Sequence, residues 1–199
     1  MAYTVFISLG MFSLIFSVSS SSIFSSEATI VNTSNGPVRG EAIVLNTNKT
    51  LVRYLGIPFA QANRFELPES PKPWNTTLNA TSFGMSCPQS PSIIVNSTET
   101  MSEDCLSVNV FLPKNNAQQN ALLSVMVWIY GGGFSFGSAA YHIYNGGYLA
   151  TEGDVIVVTF NYRLGVLGFL STGTKDLPGN LGLLDQVKAL QWVQDNIER

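Results

Sequence analysis

The apolar positions of this chain change period as the sequence advances. From Ala28 to Val44, β-forming residues alternate with polar ones on either side of Asn35-Gly36, a pattern that predicts a hairpin. "LVRYLGIPF" (Leu51–Phe59) predicts another short strand, ended by Pro58. Residues 60–104 lose the pattern and are rich in Pro, Asn, Ser and Thr, as surface excursions are. Three apolar strands are then predicted: "LSVNVFL" (Leu106–Leu112), "LLSVMVWIY" (Leu122–Tyr130) and "VIVVTFNY" (Val155–Tyr162). The near-continuous Val/Ile run of the third suits a strand covered on both faces, as in a mostly parallel sheet with helices outside.

Two helices complete the pattern. "YNGGYLATEG" (Tyr144–Gly153) predicts a short one with turns at its ends. After "PGN", Leu183, Val187, Leu190 and Ile197 fall at helical spacing, with Leu184 and Val193 flanking that stripe and Asn180 placed as N-cap. Strand, helix, strand, helix in this order predicts an α/β fold with a mixed, mostly parallel sheet and an N-terminal β-hairpin. The pattern stops at Arg199 within a helical stretch that has no C-cap signal, and it leaves Val155–Phe160 as an apolar edge. The sequence reads as interrupted.

The leader is of another kind. Val5–Val18 is apolar, and serines follow at Ser19–Ser22. The run is shorter than the roughly 20 residues of a membrane span, so residues 1–22 read as a secretory signal peptide with cleavage between Ser19 and Ala28. No Lys or Arg precedes the run, and a retained anchoring helix is the competing reading. Asn32, Asn48, Asn75, Asn79 and Asn96 each begin an Asn-x-Ser/Thr triplet, the acceptor pattern for N-glycans on a secreted chain. The two cysteines, Cys87 and Cys105, can pair in an oxidising compartment, and in a reducing one would be two buried thiols. Linker-like composition is confined to Ser17–Ser26 and Asn115–Asn120.

Charge excludes some partners. The 199 residues carry a net charge of −3, with no basic run, which argues against nucleic acid and against an anionic membrane surface.

The chemistry concentrates in "VMVWIYGGGFSFGS" (Val125–Ser138). Glycines lack Cβ, so bare backbone N–H groups can approach a ligand. No Gly-Lys-Ser/Thr follows, which excludes a P-loop, and GxGxxG spacing is absent, which excludes a dinucleotide fingerprint. An oxyanion hole and a plain strand-ending turn are the readings left. Tyr130 stands where the His of an HGGG-type loop would be.

Five ordered blocks decide between them: "VRYLGIPFAQ" (Val52–Gln61), "SEDCLSVNVFLP" (Ser102–Pro113), "VMVWIYGGGFSFGS", "VIVVTFNYRLGVLGFL" (Val155–Leu170) and "PGNLGLLDQVKALQWVQDNI" (Pro178–Ile197). Together they resemble the type-B carboxylesterase family, the cholinesterase-like branch of the α/β-hydrolases. The resemblance implies that residues 23–199 are the N-terminal part of such a domain, ending before its nucleophile elbow. It implies that Gly132 and Gly133, supported by Gly131, are oxyanion-hole glycines. It implies that Cys87 and Cys105 form the family's first disulfide and that Arg64 and Glu103 form a structural salt bridge. It implies a small-molecule carboxylic ester as substrate of the complete enzyme, and no metal or cofactor.

The departures carry equal weight. The family's Gly-Glu-Ser-Ala-Gly type of nucleophile elbow does not occur: the G-x-S-x-G spacing at Gly133–Gly137 ("GFSFG") lies within the glycine segment itself, and the single histidine, His142, aligns with no catalytic position of the family. "IPFAQANRF" lacks the Pro-Pro-x-Gly insert usual before the family's Arg-Phe. The stretch between Cys87 and Cys105 has no Trp, Tyr or Phe to stack on a quaternary ammonium, which argues for a general carboxylic ester over a choline ester. The chain alone is expected to be inactive. A non-catalytic adhesion or binding ectodomain on the same fold, or a truncated product without its own function, are the alternatives.

Overall fold

The structure, a computed structural model, describes residues 27–90, 100–114 and 122–197. The leader at residues 1–22, the segments at 17–26 and 115–120, and Asn96 lie outside the described residues.

Among the described residues the strands are β1 (Glu27–Asn32), β2 (Pro37–Val44), β3 (Thr50–Pro58), β4 (Leu78–Asn79), β5 (Ser107–Pro113), β6 (Val125–Trp128) and β7 (Ile156–Phe160). The helices are α1 (Gly147–Gly153), α2 (Gly165–Phe169) and α3 (Leu181–Asn196). The hairpin falls where Asn35-Gly36 predicts it: β1 and β2 pair antiparallel from Val31↔Val38 outward, through a turn with Gly36 at φ +150°. Beyond Gly36, Trp74 closes over the turn, its Nε1 donating to the Pro37 carbonyl at 3.0 Å.

The strands form one mixed sheet in the order β1-β2-β3-β5-β7-β6, with β4 beside β2. The expected mostly parallel sheet is corrected here. β1/β2, β2/β3, β3/β5 and β5/β7 are antiparallel, and only β6/β7 and the two-residue β2/β4 contact are parallel. For the first three strands the cause is connection length. Short turns join β1 to β2 and β2 to β3, and a short turn can only reverse a strand. The α1 crossover between β6 and β7 is long enough to restore direction.

The expected edge is corrected as well. β7 lies between β5 and β6, so its Val/Ile run is buried because it is central, and β6 takes the outer position. On β6 the burial alternates, with Met126 and Trp128 about half exposed.

Side chains alternate across the sheet. Leu51, Leu55, Phe111 and Val157 point to α1, around the fully buried Ala150. Val108, Val110, Val158 and Phe160 point the other way, into a larger core that includes Ala189, Trp192 and Val193 of α3. Helices therefore cover both faces, as in an α/β-hydrolase.

α3 turns a different face inward from the one its Leu/Val stripe predicts. Leu183, Leu184, Val187 and Leu190 are 37–49% exposed, whereas Leu181, Asp185, Ala189, Trp192, Val193 and Asn196 are buried. Polar residues can occupy that inner face because each is paired: Asn196 Oδ1 accepts from Ser34 N at 2.6 Å, and Asp185 holds Arg163. Asn180 does sit at the N-cap position, but its side chain makes no capping bond, and its left-handed backbone (φ +57°) offers only its carbonyl to Leu183 and Leu184.

Candidate active site

The glycine segment leaves the sheet at the C-terminal end of β6. Tyr130, 2% exposed, stacks on Tyr162 just beyond β7, with ring centroids 4.6 Å apart. The two residues also bond reciprocally: Tyr162 Oη donates to the Tyr130 carbonyl at 2.9 Å, and Tyr130 Oη donates to the Tyr162 carbonyl at 3.3 Å. Burial pushes both phenols above their ordinary value, Tyr130 most strongly.

From this clasp the chain makes a tight turn. The Gly132 carbonyl accepts from Ser135 N at 3.0 Å and Phe136 N at 3.3 Å. Gly132 (φ +142°), Gly133 (φ +58°) and Gly137 (φ +130°) occupy backbone conformations that L side chains avoid. A Cβ on Gly132 would lie 1.9 Å from the Phe136 carbonyl oxygen, whereas one on Gly131 or Gly133 would meet nothing within 4 Å. Among the described residues, no acceptor meets the backbone N–H of Gly132 or Gly133. These two groups therefore lie on an open face with unspent donor capacity.

A second loop borders the first. Gly165 N donates to the Phe134 carbonyl at 2.7 Å, and the Phe134 and Phe169 rings approach to 4.9 Å. Between the two loops lies an open cleft of about 430 Å³, walled by Gln89, Ser135, Phe136, Leu164 and Val166.

The loop containing Gly165 is anchored from beneath by a residue pair that sequence reasoning missed. Arg163 and Asp185 are 5% and 0% exposed. Arg163 Nε meets Asp185 Oδ2 at 2.9 Å, its second guanidinium nitrogen meets Oδ1 at 2.8 Å, and its backbone N donates to Oδ2 at 3.0 Å. A further guanidinium N–H reaches the Glu66 carbonyl at 2.8 Å. The available signal was Asp185 itself, an acid set among the leucines and valines of α3. Asn161 was missed too: its Nδ2 donates to the carbonyls of Met85 and Cys105 while its Oδ1 accepts from Ala139 N, tying three segments together.

Cys87 and Cys105 are joined as a buried disulfide, with Cα atoms 5.1 Å apart. Arg64 and Glu103 form an exposed ion pair, with Arg64 Nε 3.1 Å from each carboxylate oxygen and a guanidinium terminal nitrogen closer still to Oε1. The hydrogen bond from Arg64 holds the Glu103 carboxyl below its ordinary range. An open cleft of about 600 Å³ beside this pair is walled by charged side chains such as Glu66, Glu69 and Lys72, and has no glycine loop. Asn32, Asn48, Asn75 and Asn79 are exposed. His142, in the short 3-10 turn His142–Tyr144, is exposed and makes no side-chain bond among the described residues.

A helix-covered sheet of this order, with a glycine turn following the strand next to a cleft, is α/β-hydrolase architecture. The chain belongs to the carboxylesterase family, whose pattern it matches over residues 27–199. It is 44% identical over 182 residues to acetylcholinesterase of Danio rerio, covering 84% of this chain and 28% of that protein. It is 44% identical over 178 residues to para-nitrobenzyl esterase of Bacillus subtilis, covering 84% of this chain and 35% of that protein. It is 47% identical over 150 residues to bile salt-activated lipase of Mus musculus, covering 72% of this chain and 25% of that protein. The chain thus spans roughly a quarter to a third of the length of these relatives.

Proposed function

We propose that this chain supplies the oxyanion-binding loop of a serine carboxylic ester hydrolase. The observation that carries the reading is that the N–H groups of Gly132 and Gly133 meet no acceptor among the described residues, in a turn whose Ser135 and Phe136 wall the cleft. In an acyl transfer the ester carbonyl oxygen gains negative charge as the nucleophile adds, and two preorganised N–H donors stabilise that charge without reorganising. This reading takes the nucleophile, its base and the orienting acid from outside these 199 residues, since they hold no Gly-Glu-Ser-Ala-Gly elbow and the G-x-S-x-G spacing at Gly133–Gly137 belongs to the glycine turn. The substrate class is a general carboxylic ester: the Cys87–Cys105 stretch has no aromatic ring for a quaternary ammonium. The leader and the exposed sequons Asn32, Asn48, Asn75 and Asn79 support secretion as a glycoprotein, with Asn96 a fifth acceptor.

Two measurements test this. The 199-residue chain alone should not turn over p-nitrophenyl acetate, and steady hydrolysis by it would refute the division of labour. Replacing the matching segment of the Bacillus subtilis esterase with residues 27–199 should give an active chimera. Disabling one oxyanion donor in it should cost on the order of 10²-fold in kcat. An effect confined to KM would overturn the oxyanion role.

A further inference from the structure

We propose that Gln89 is a positioning residue that fixes the far end of the glycine loop. The near end is fixed by the Tyr130–Tyr162 clasp. The far end is Gly137, and Gln89 holds both of its backbone polar groups. Gln89 Oε1 accepts from Gly137 N at 2.7 Å, and Gln89 Nε2 donates to the Gly137 carbonyl at 2.8 Å. The remaining Nε2 hydrogen goes to the Cys87 carbonyl at 3.1 Å, so both amide hydrogens are used and the amide has one orientation. Gly137 cannot be held by its own side chain. A Cβ there would lie 2.5 Å from the Tyr130 ring, so Gly137 is pressed between that ring and the Gln89 amide. Both ends of the turn therefore converge on Tyr130, and among the described residues the only side chain that bonds Gly137 comes from outside the turn.

Gln89 stands two residues from Cys87, whose disulfide to Cys105 ties it to the start of β5. The disulfide loop and the glycine loop thus meet through one amide, and Gln89 also walls the 430 Å³ cleft. The assignment rests on reading Gly132 and Gly133 as oxyanion donors: Gln89 touches no reacting atom and acts by setting where those N–H groups point.

The test is a glycine-selective ¹⁵N spectrum of the 199-residue chain. In Gln89→Met, of similar length without hydrogen bonds, the Gly137 amide should exchange at least about fivefold faster, the loss expected for an ordinary hydrogen bond. The Gly132 and Gly133 resonances should shift while those of Gly40, Gly56 and Gly182 stay in place. Gln89→Glu separates positioning from packing. As a carboxylate it keeps the acceptor for Gly137 N but opposes the Gly137 carbonyl, and once protonated it can donate to that carbonyl again. Its loop resonances should therefore return toward wild type as pH falls through the carboxyl range, about 4 to 5. Unchanged Gly132 and Gly133 resonances in both variants overturn the proposal, as does a uniform shift of every glycine without the pH-dependent return. The readout needs no turnover. A responsive loop in a chimera indifferent to its oxyanion donors would refute the oxyanion reading alone, and an unresponsive loop would refute the role of Gln89 alone.

Discussion

Tyr130 and Tyr162 each donate a phenol hydrogen to the other's carbonyl while their rings stack 4.6 Å apart. The pair joins the end of β6 to the end of β7, where the glycine loop and the Gly165 loop begin. Tyr162→Phe removes the 2.9 Å bond and leaves the buried Tyr130 carbonyl without that donor. The expected loss is about 1–2 kcal/mol, read from chemical denaturation. A cost indistinguishable from zero would mean the ring stack alone holds the junction.

The same burial makes an alkaline signature. The folded-state phenol values of Tyr130, Tyr162 and Tyr54 are raised from 10.0, chiefly by burial. Above pH 10 the unfolded chain gives up these protons while the folded chain keeps them, so the unfolded state binds fewer protons and stability falls as pH rises. Their contribution is fully present below pH 10. Denaturation midpoints should hold steady from neutral pH to about 9 and decline above 10. Tyr130→Phe should flatten that decline.

Arg163 and Asp185 should behave unlike Arg64 and Glu103. Asp185→Ala strands a guanidinium in the core and should cost about 3–5 kcal/mol. Glu103→Gln, at an exposed pair, should leave the thermal midpoint nearly unchanged at moderate salt. Equal effects at the two sites would contradict the difference in burial.

Three alanines should separate the three glycines. Gly131→Ala meets open space at an ordinary φ and should stay within about 0.5 kcal/mol of wild type. Gly133→Ala also meets open space but must adopt φ +58°, at about 1–2 kcal/mol. Gly132→Ala drives a methyl into the Phe136 carbonyl at φ +142° and should cost at least about 3 kcal/mol. Thermal melts of the three variants check the order.

Reducing the Cys87–Cys105 bond frees a loop of sequence separation 18 and should destabilise the chain by about 3 kcal/mol. A melt with and without reductant reads this directly.

Local signals carried much of this protein. Asn35-Gly36 between alternating β-formers specified the hairpin, because two short runs and a tight turn admit one pairing. The glycine triplet marked a backbone that L residues avoid, and Gly132 and Gly133 do take positive φ. Periodicity chose the wrong face for α3, because its apolar residues lie on more than one side. Tertiary structure chose the face bearing Asp185 and Asn196, because Arg163 and Ser34 satisfy those polar groups once the chain has folded. Sheet order was likewise settled only by packing: a Val/Ile run says that β7 is buried, not which strands flank it. Gln89 gave no sequence signal, since an amide in a polar loop acquires its meaning only from Gly137, 48 residues away. What the sequence determined by itself were the turns, the strands and the bare glycine backbone, all set by interactions among near neighbours. What only the tertiary structure decided were the strand order, the inward face of α3 and the grip on the loop, because each depends on partners distant along the chain.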